Sequence, residues 1–231
     1  MMGPNNLGDI NDMLTLCDQA DMLSGLPQDI TGNLVMDWNK SVAVTGFKED
    51  NATALILKEL EKMEIENREL SFFEFEMTYK DVEEKLPPIR GENHRDFVLH
   101  LAPHNVKNTV TLVQTAFTTD YSNPDKNGCL PKIDEEWESS KIETVTNCEK
   151  AKNKLTEKLG LDGKKFGGLK IETVEDSGRS IDGYLYQLSL RQDNWCTLLV
   201  EIPPLEGECI KESVAELLRE LLLFVTNIFN M

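Results

Sequence analysis

From residue 40 onward the chain alternates two hydrophobic rhythms, one of period two and one near 3.6. SVAVTGF reads as a buried strand ending at a glycine turn, and NATALILKELEKM as an amphipathic helix with Asn51 placed to cap it. ELSFFEFEM alternates and predicts a strand, while TYKDVEEKL predicts a short helix stopped by Pro87 and Pro88. DFVLHLA and TVTLVQTAF read as strands, the second of them leading into the loop DYSNPDKNGCLP. ETVTNCEKAKNKLTEKLG predicts a helix closed by Gly160. LKIETVED is a strand, GRSIDGYLYQLSLRQ an amphipathic helix, WCTLLVEIPP a strand stopped by prolines, and ESVAELLRELLLFVTNI a final, mostly buried helix.

Strands alternating with helices predict a three-layer α/β/α sandwich around a central, largely parallel twisted sheet. Ligands of such folds gather where strands end, which directs attention to Thr45–Phe47, Ala102–Asn105, Glu175–Asp176 and Glu201–Pro203. Residues 1–39 break the rhythm. They hold six aspartates and no lysine or arginine, with Gly, Pro and Asn clustered at both ends. Within them Ile10, Met13, Leu14 and Cys17 recur at helical spacing. The chain therefore divides into an acidic, flexible arm, 1–39, and one α/β domain, 40–231, with residues 10–23 as a candidate docking motif for a protein partner.

The charge of −17 over 231 residues argues against nucleic acid and anionic membrane surfaces, since both demand a basic patch. LLRELLLFVTNIF is too short and too charged to span a bilayer, and MMGPNNLGDINDM lacks the basic and apolar regions of a signal peptide. Five scattered cysteines (17, 129, 148, 196 and 209) with no CxxC suit reduced thiols and a cytoplasmic protein. His100 and His104 stand four apart in HLAPH, but Pro103 and the preceding apolar run make this a strand entering a loop, which removes the helical geometry zinc would need. His94 falls in a polar loop. GLDGKKFGGLK precedes a strand and so lacks the helix start of a phosphate cradle. Cys196 shares a strand face with Leu198 and Val200, away from Glu201, and Cys148 falls in mid-helix; both read as packed core thiols. No metal and no cofactor is expected.

VAVTGF, FVLHLAPHNVKNTVTL, EDSGRSIDGYLYQLSL and LLVEIPPL together resemble pyroglutamyl-peptidase I (pyrrolidone-carboxylate peptidase), over roughly residues 41 to 228. The resemblance implies an α/β/α fold and a Cys–His–Glu triad that releases N-terminal pyroglutamate. The family's cysteine follows Asp-Ala-Gly-Arg-Tyr-Leu; here Asp176, Ser177, Gly178, Arg179, Ser180 and Ile181 precede Asp182 in its place. The histidine before a hydrophobic residue and two prolines is Glu201, and the glutamate after Thr-Val-Thr-Leu is Val113. Of the pyroglutamate pocket, Phe47 is kept and the second phenylalanine lost, in a loop shortened before Asn51; Phe47 and Asn51 are its remnant. The arm has no counterpart in the family core.

A thiolate nucleophile needs a neighbouring base, and the base an orienting group. With all three replaced, the resemblance implies a catalytically inactive relative acting as a protein-binding or scaffolding module, with a homo-oligomer left open. The rivals are an active pyroglutamyl-peptidase, a repurposed or metal-dependent hydrolase built on Asp182 and Glu201, and a sensor that binds peptide N-termini without cutting them. Asp182 and Glu201 should face one another and raise one another's pKa, or recruit a lysine, cation or water between them.

Overall fold

The computed structural model describes residues 40–91, 96–132, 139–161, 166, 168–194, 196–206 and 211–228. The arm, with Ile10, Met13, Leu14 and Cys17, lies outside them, as do His94 and Cys209. Among the described residues seven strands form one sheet. β1 (Lys40–Phe47) pairs in parallel with β2 (Arg68–Phe75) on one side and β3 (Phe97–Pro103) on the other, and β3 pairs in parallel with β7 (Thr197–Ile202). β4 (Thr109–Phe117) runs antiparallel to β7 and to the short β5 (Lys141–Glu143), and parallel to β6 (Lys170–Asp176).

The described parts of β1, β3 and β7 are buried almost throughout, so these strands carry few outward polar residues and their runs are nearly continuously apolar. α1 (Asn51–Leu60), α3 (Cys148–Leu159) and α5 (Lys211–Ile228) cover one face, sharing a core with Val42, Val44, Leu99, Leu101, Leu198 and Val200. α2 (Tyr79–Gly91) and α4 (Ile181–Gln192) cover the other, where they meet Ala43, Val98, Val113 and Leu199. The α/β/α sandwich and largely parallel sheet are as expected, and α5 is the buried terminal helix that its run of Leu, Val and Ala predicted.

Four local expectations change. Asp50, not Asn51, caps α1: its backbone is extended and its Oδ1 accepts from Thr53 N at 2.6 Å, while Asn51 is already helical. α2 continues through Pro87 and Pro88. Both prolines are exposed, so water can solvate the carbonyls they leave unbonded, while Leu86 and Ile89 anchor the turn in the core. Glu143–Asn147 is not helical, because Gln114 Nε2 donates to the carbonyls of Thr144 and Thr146 and its Oε1 accepts from Cys148 N, fixing an irregular link. Cys148 is consequently the first residue of α3 and not a mid-helix one, with Asn147 as cap and Gly160 closing the helix at φ 60°.

The direction of β4 and β6 could not be read from periodicity. Because both run against β1, β3 and β7, β6 ends opposite Thr115, whereas Glu201 of β7 lies opposite Thr111. The two carboxyl ends thus do not share one edge. The head of α4 reaches the first group of strands instead through Ile181 and Tyr184, which share an apolar cluster with Phe47, Val98 and Tyr121.

Candidate functional site

The link from β6 into α4 is a tight fold built on three small residues. Asp176 Oδ1 accepts from Gly178 N at 2.9 Å, and Gly178 sits at φ 77°, a left-handed conformation that favours glycine. A methyl group on Gly183 would stand 2.7 Å from the carbonyl oxygen of Gly178 and 3.0 Å from Ser177 Oγ, so the link can lie against the helix only over a glycine. Arg179 stacks 3.4 Å above the Phe117 ring centroid and pairs with Asp176, which turns its charge away from the helix head. Tyr121 holds the arrangement from the other side, its hydroxyl donating to the carbonyls of Gly183 and Phe117.

Ser180 occupies the N-cap position but makes no side-chain capping bond; its hydroxyl donates to Asp182 Oδ1. In this first turn Ser180 and Asp182 are part-buried. Burial pushes the Asp182 carboxyl above the ordinary carboxylate range, against the pull of Ser180 and of the backbone N–H groups of Asp182 and Gly183.

Glu201 projects near the end of β7, its side chain 12% exposed. Burial first, and the charge of Asp182 second, raise its carboxyl to about 7. Asp182 thus acts on Glu201, whereas the rise of Asp182 itself comes from burial and not from Glu201. Among the described residues no lysine pairs with Glu201; its Oε2 lies instead 2.8 Å from Nδ1 of His104. His104 follows β3 directly, held by a bond from its backbone N–H to the carbonyl of Ile202, and burial lowers its imidazole pKa. Sequence reasoning set His104 aside as one of an incidental pair. The usable signal was position: Ala102–Asn105 and Glu201–Pro203 were both marked as strand ends, and β3 and β7 are neighbours, with Ala102 opposite Glu201.

Val113 lies on the same sheet face but in a different environment. It is fully buried with Ala102, Ala116, Tyr186, Leu190 and Leu199, and its carbonyl accepts from the Tyr186 hydroxyl at 2.9 Å. It is a packing residue. The pocket remnant separates as well. Phe47, 1% exposed, packs 6.4 Å from Phe75 inside the core, so it is a core residue and not part of an open pocket wall. Asn51 lines a cavity of about 310 Å³ with Leu55, Pro103, His104, Ile202 and Leu205.

His100 is fully buried on β3, its Nδ1 2.7 Å from Thr45 Oγ1, and has no part in the His104–Glu201 pair. Among the described residues no group of three or more His, Cys, Asp or Glu side chains could hold a metal ion, and no helix is long and apolar enough to cross a membrane. The described cysteines form no disulfide. Cys148 is buried with its thiol pushed up to about 12, Cys129 is exposed in the 120–132 loop, and Cys196 packs against the core shared with Leu198 and Val200.

Known structures share this architecture. The pyrrolidone carboxyl peptidase of Fervidobacterium islandicum AW-1 superimposes with a TM-score of 0.65 at 20% identity, covering 79% of this chain and 96% of that one. The Thermococcus litoralis enzyme gives 0.68 at 16% identity over 83% and 95%, and the Thermus thermophilus enzyme 0.65 at 18% over 78% and 98%. At these identities the likeness is one of fold. None of the curated proteins compared with the chain matches it. A family model described as "Putative pyroglutamyl peptidase PgaPase_1" matches residues 13–206, beginning inside the acidic arm. With most of its length matched, and with this strand order and these helix layers, the chain belongs to the pyroglutamyl peptidase family that this model describes.

Proposed function

We propose that this protein does not release pyroglutamate by a cysteine mechanism and serves as a binding or scaffolding module on the peptidase fold. The observation that carries this reading is the head of α4, where a part-buried carboxyl, Asp182, stands in the place at which the family resemblance puts a thiol. An unactivated carboxyl between Ser180 and Glu201 supplies no thiolate. Losing the nucleophile of a triad costs on the order of a million-fold in turnover. Val113 supports the same reading, because an aliphatic side chain in an apolar cluster cannot orient a base. The binding role is the inference from a retained fold with an altered site, set in the cytosol where its free thiols would stay reduced. The first partner contact to test is the arm around residues 10–23.

A second reading is favoured by one observation. A carboxyl raised to about 7 beside another carboxyl can take or give a proton near neutral pH, as carboxylate-based hydrolases require. Hydrolysis of a fluorogenic pyroglutamyl amide decides between them. The module reading expects no release above an Asp182→Ala blank; release that Asp182→Ala abolishes would replace it with the carboxyl hydrolase. Removal of residues 1–39 should leave the domain folded and remove its partners, and a truncated domain that retained them would refute the arm's role.

A further inference from the structure

The cavity of about 310 Å³ beside α1, at the edge where β1, β3 and β7 end, is lined by Asn51 of the pocket remnant but by neither Asp182 nor Glu201, and one wall of it touches that site. His104 lines the cavity and also contacts Glu201, whereas Glu201 does not line it. The imidazole is thus the link between the two. With the carboxylate accepting from Nδ1–H, the tautomer is fixed and Nε2 is left as an acceptor. No bond to Nε2 from another described residue occupies it. His104 is 25% exposed, enough to meet a ligand.

We propose that this cavity takes a primary ammonium group carried on a small apolar body, with Nε2 of His104 as the acceptor for its N–H. The proposal rests on the non-peptidase reading and specifies what the retained fold binds. Three features select that ligand. The charged residues on the wall, Asp50 and Glu206, are both acidic, and among the described residues no lysine or arginine lines the cavity. Lys107 only reaches Glu206 from the exposed side, at 3.9 Å. The N-terminal end of α1 would otherwise invite an anion, but Asp50 already supplies the negative charge there as its cap. Apart from the neutral amides Asn51 and Asn105, the remaining wall is apolar, with Leu55, 42% exposed, beside Ile202, Pro204 and Leu205. A volume of this size lies at the small end of ligand pockets, which suits one amino-acid-sized body. A pyroglutamyl group fits this wall poorly, since its nitrogen is acylated and uncharged, and Phe47 is sealed in the core.

Two sources offer this chemistry, the free N-terminus of a peptide and a small free amine. Calorimetric titration of the full-length protein at about pH 8, where a carboxyl of ordinary or moderately raised pKa is ionised, distinguishes them with four probes: leucinamide, Leu-Gly-Gly, N-acetyl-leucinamide and pyroglutamyl-glycinamide. The expected result is binding of the first two and none of the last two. Tighter binding of the tripeptide assigns the site to peptide termini; tighter binding of leucinamide assigns it to free amines. His104→Phe keeps the bulk and removes the acceptor, and should weaken binding about ten- to a hundredfold, the worth of one hydrogen bond to a charged group. Leu55→Ala, at an exposed position where folding is safe, should weaken it several-fold through lost apolar contact. Equal binding of the acetylated probe, no binding of either amine at millimolar concentration, or full affinity in both variants would overturn the proposal. Absence of amine binding without pyroglutamyl hydrolysis removes this inference alone, whereas hydrolysis removes the reading on which it stands.

Discussion

Replacing Glu201 by glutamine isolates the electrostatics of the site, because glutamine copies the shape of the protonated acid and cannot ionise. A carboxyl raised from 4.5 to about 7 corresponds to a penalty of roughly 3 kcal/mol on the ionised folded form. Solvent at the edge of the group and the His104 contact reduce this to about 1–2 kcal/mol. Since the folded pKa is raised, the folded state holds more protons than the unfolded state between pH 4.5 and about 7. Stability contributed by this group is therefore complete below pH 4.5, falls as pH rises through that window, and levels off above it. The groups facing Glu201 are Asp182 from α4 and His104 from beyond β3. His104 acts in the opposite sense: its lowered pKa makes stability fall as pH drops below its ordinary 6.5. The wild-type protein sums both trends, so the informative quantity is the difference between wild type and Glu201→Gln in urea unfolding followed by circular dichroism. The variant should match wild type at about pH 4 and exceed it by about 1–2 kcal/mol at about pH 8. A variant less stable than wild type at the higher pH would mean that an ionised Glu201 is well paired with a protonated His104, and the argument from burial would fail.

Packing makes two further outcomes testable. Gly183→Ala places a methyl group 2.7 Å from a backbone oxygen and should cost about 1–3 kcal/mol in the same unfolding measurement; an unchanged midpoint would show that the 177–183 link can move aside. Alkylation by iodoacetamide, read by peptide mass spectrometry, should modify exposed Cys129 in the native protein and leave buried Cys148, with its thiol pushed up to about 12, unmodified until urea is added. Early labelling of Cys148 would contradict its place in the core.

The layer order was legible because it rests on periodicity. SVAVTGF, DFVLHLA and TLLVEI are apolar on both faces, which only strands between two helix layers need. Where the expectation failed, a longer-range interaction had overruled a local one. Gln114 satisfies the carbonyls that a helix over Glu143–Asn147 would have bonded internally, and the partner lies some thirty residues away in the sequence. Pro87 and Pro88 break a hydrogen-bond ladder, yet the helix persists because the gaps face water and Leu86 and Ile89 do not. Strand direction was not legible at all, since an alternating pattern is the same read either way, and with it went the idea that β6 and β7 end together.

The site divides along the same line. Asp182 and Glu201 were identified by resemblance, and the charge of Asp182 contributes to raising the Glu201 carboxyl. Phe47 came from the same resemblance and is instead sealed in the core against Phe75. His104 could not be found by resemblance, since the family pattern gives its loop no histidine. It is placed by register: β3 and β7 pair with Ala102 opposite Glu201, and the chain then continues from Pro103 with the His104 N–H bonded to Ile202. That bond fixes where the imidazole starts, and the 2.8 Å contact fixes which nitrogen it turns toward the carboxyl. An imidazole has thus re-entered a site whose resemblance to the family predicted that its histidine was lost. Its carboxyl partner stands on β7 where that histidine should be, and the imidazole comes from the end of β3, not from the β4 position that Val113 fills. What the pair presents to the cavity is a nitrogen acceptor rather than a thiolate, which is the physical reason to look for a ligand held and not one cleaved.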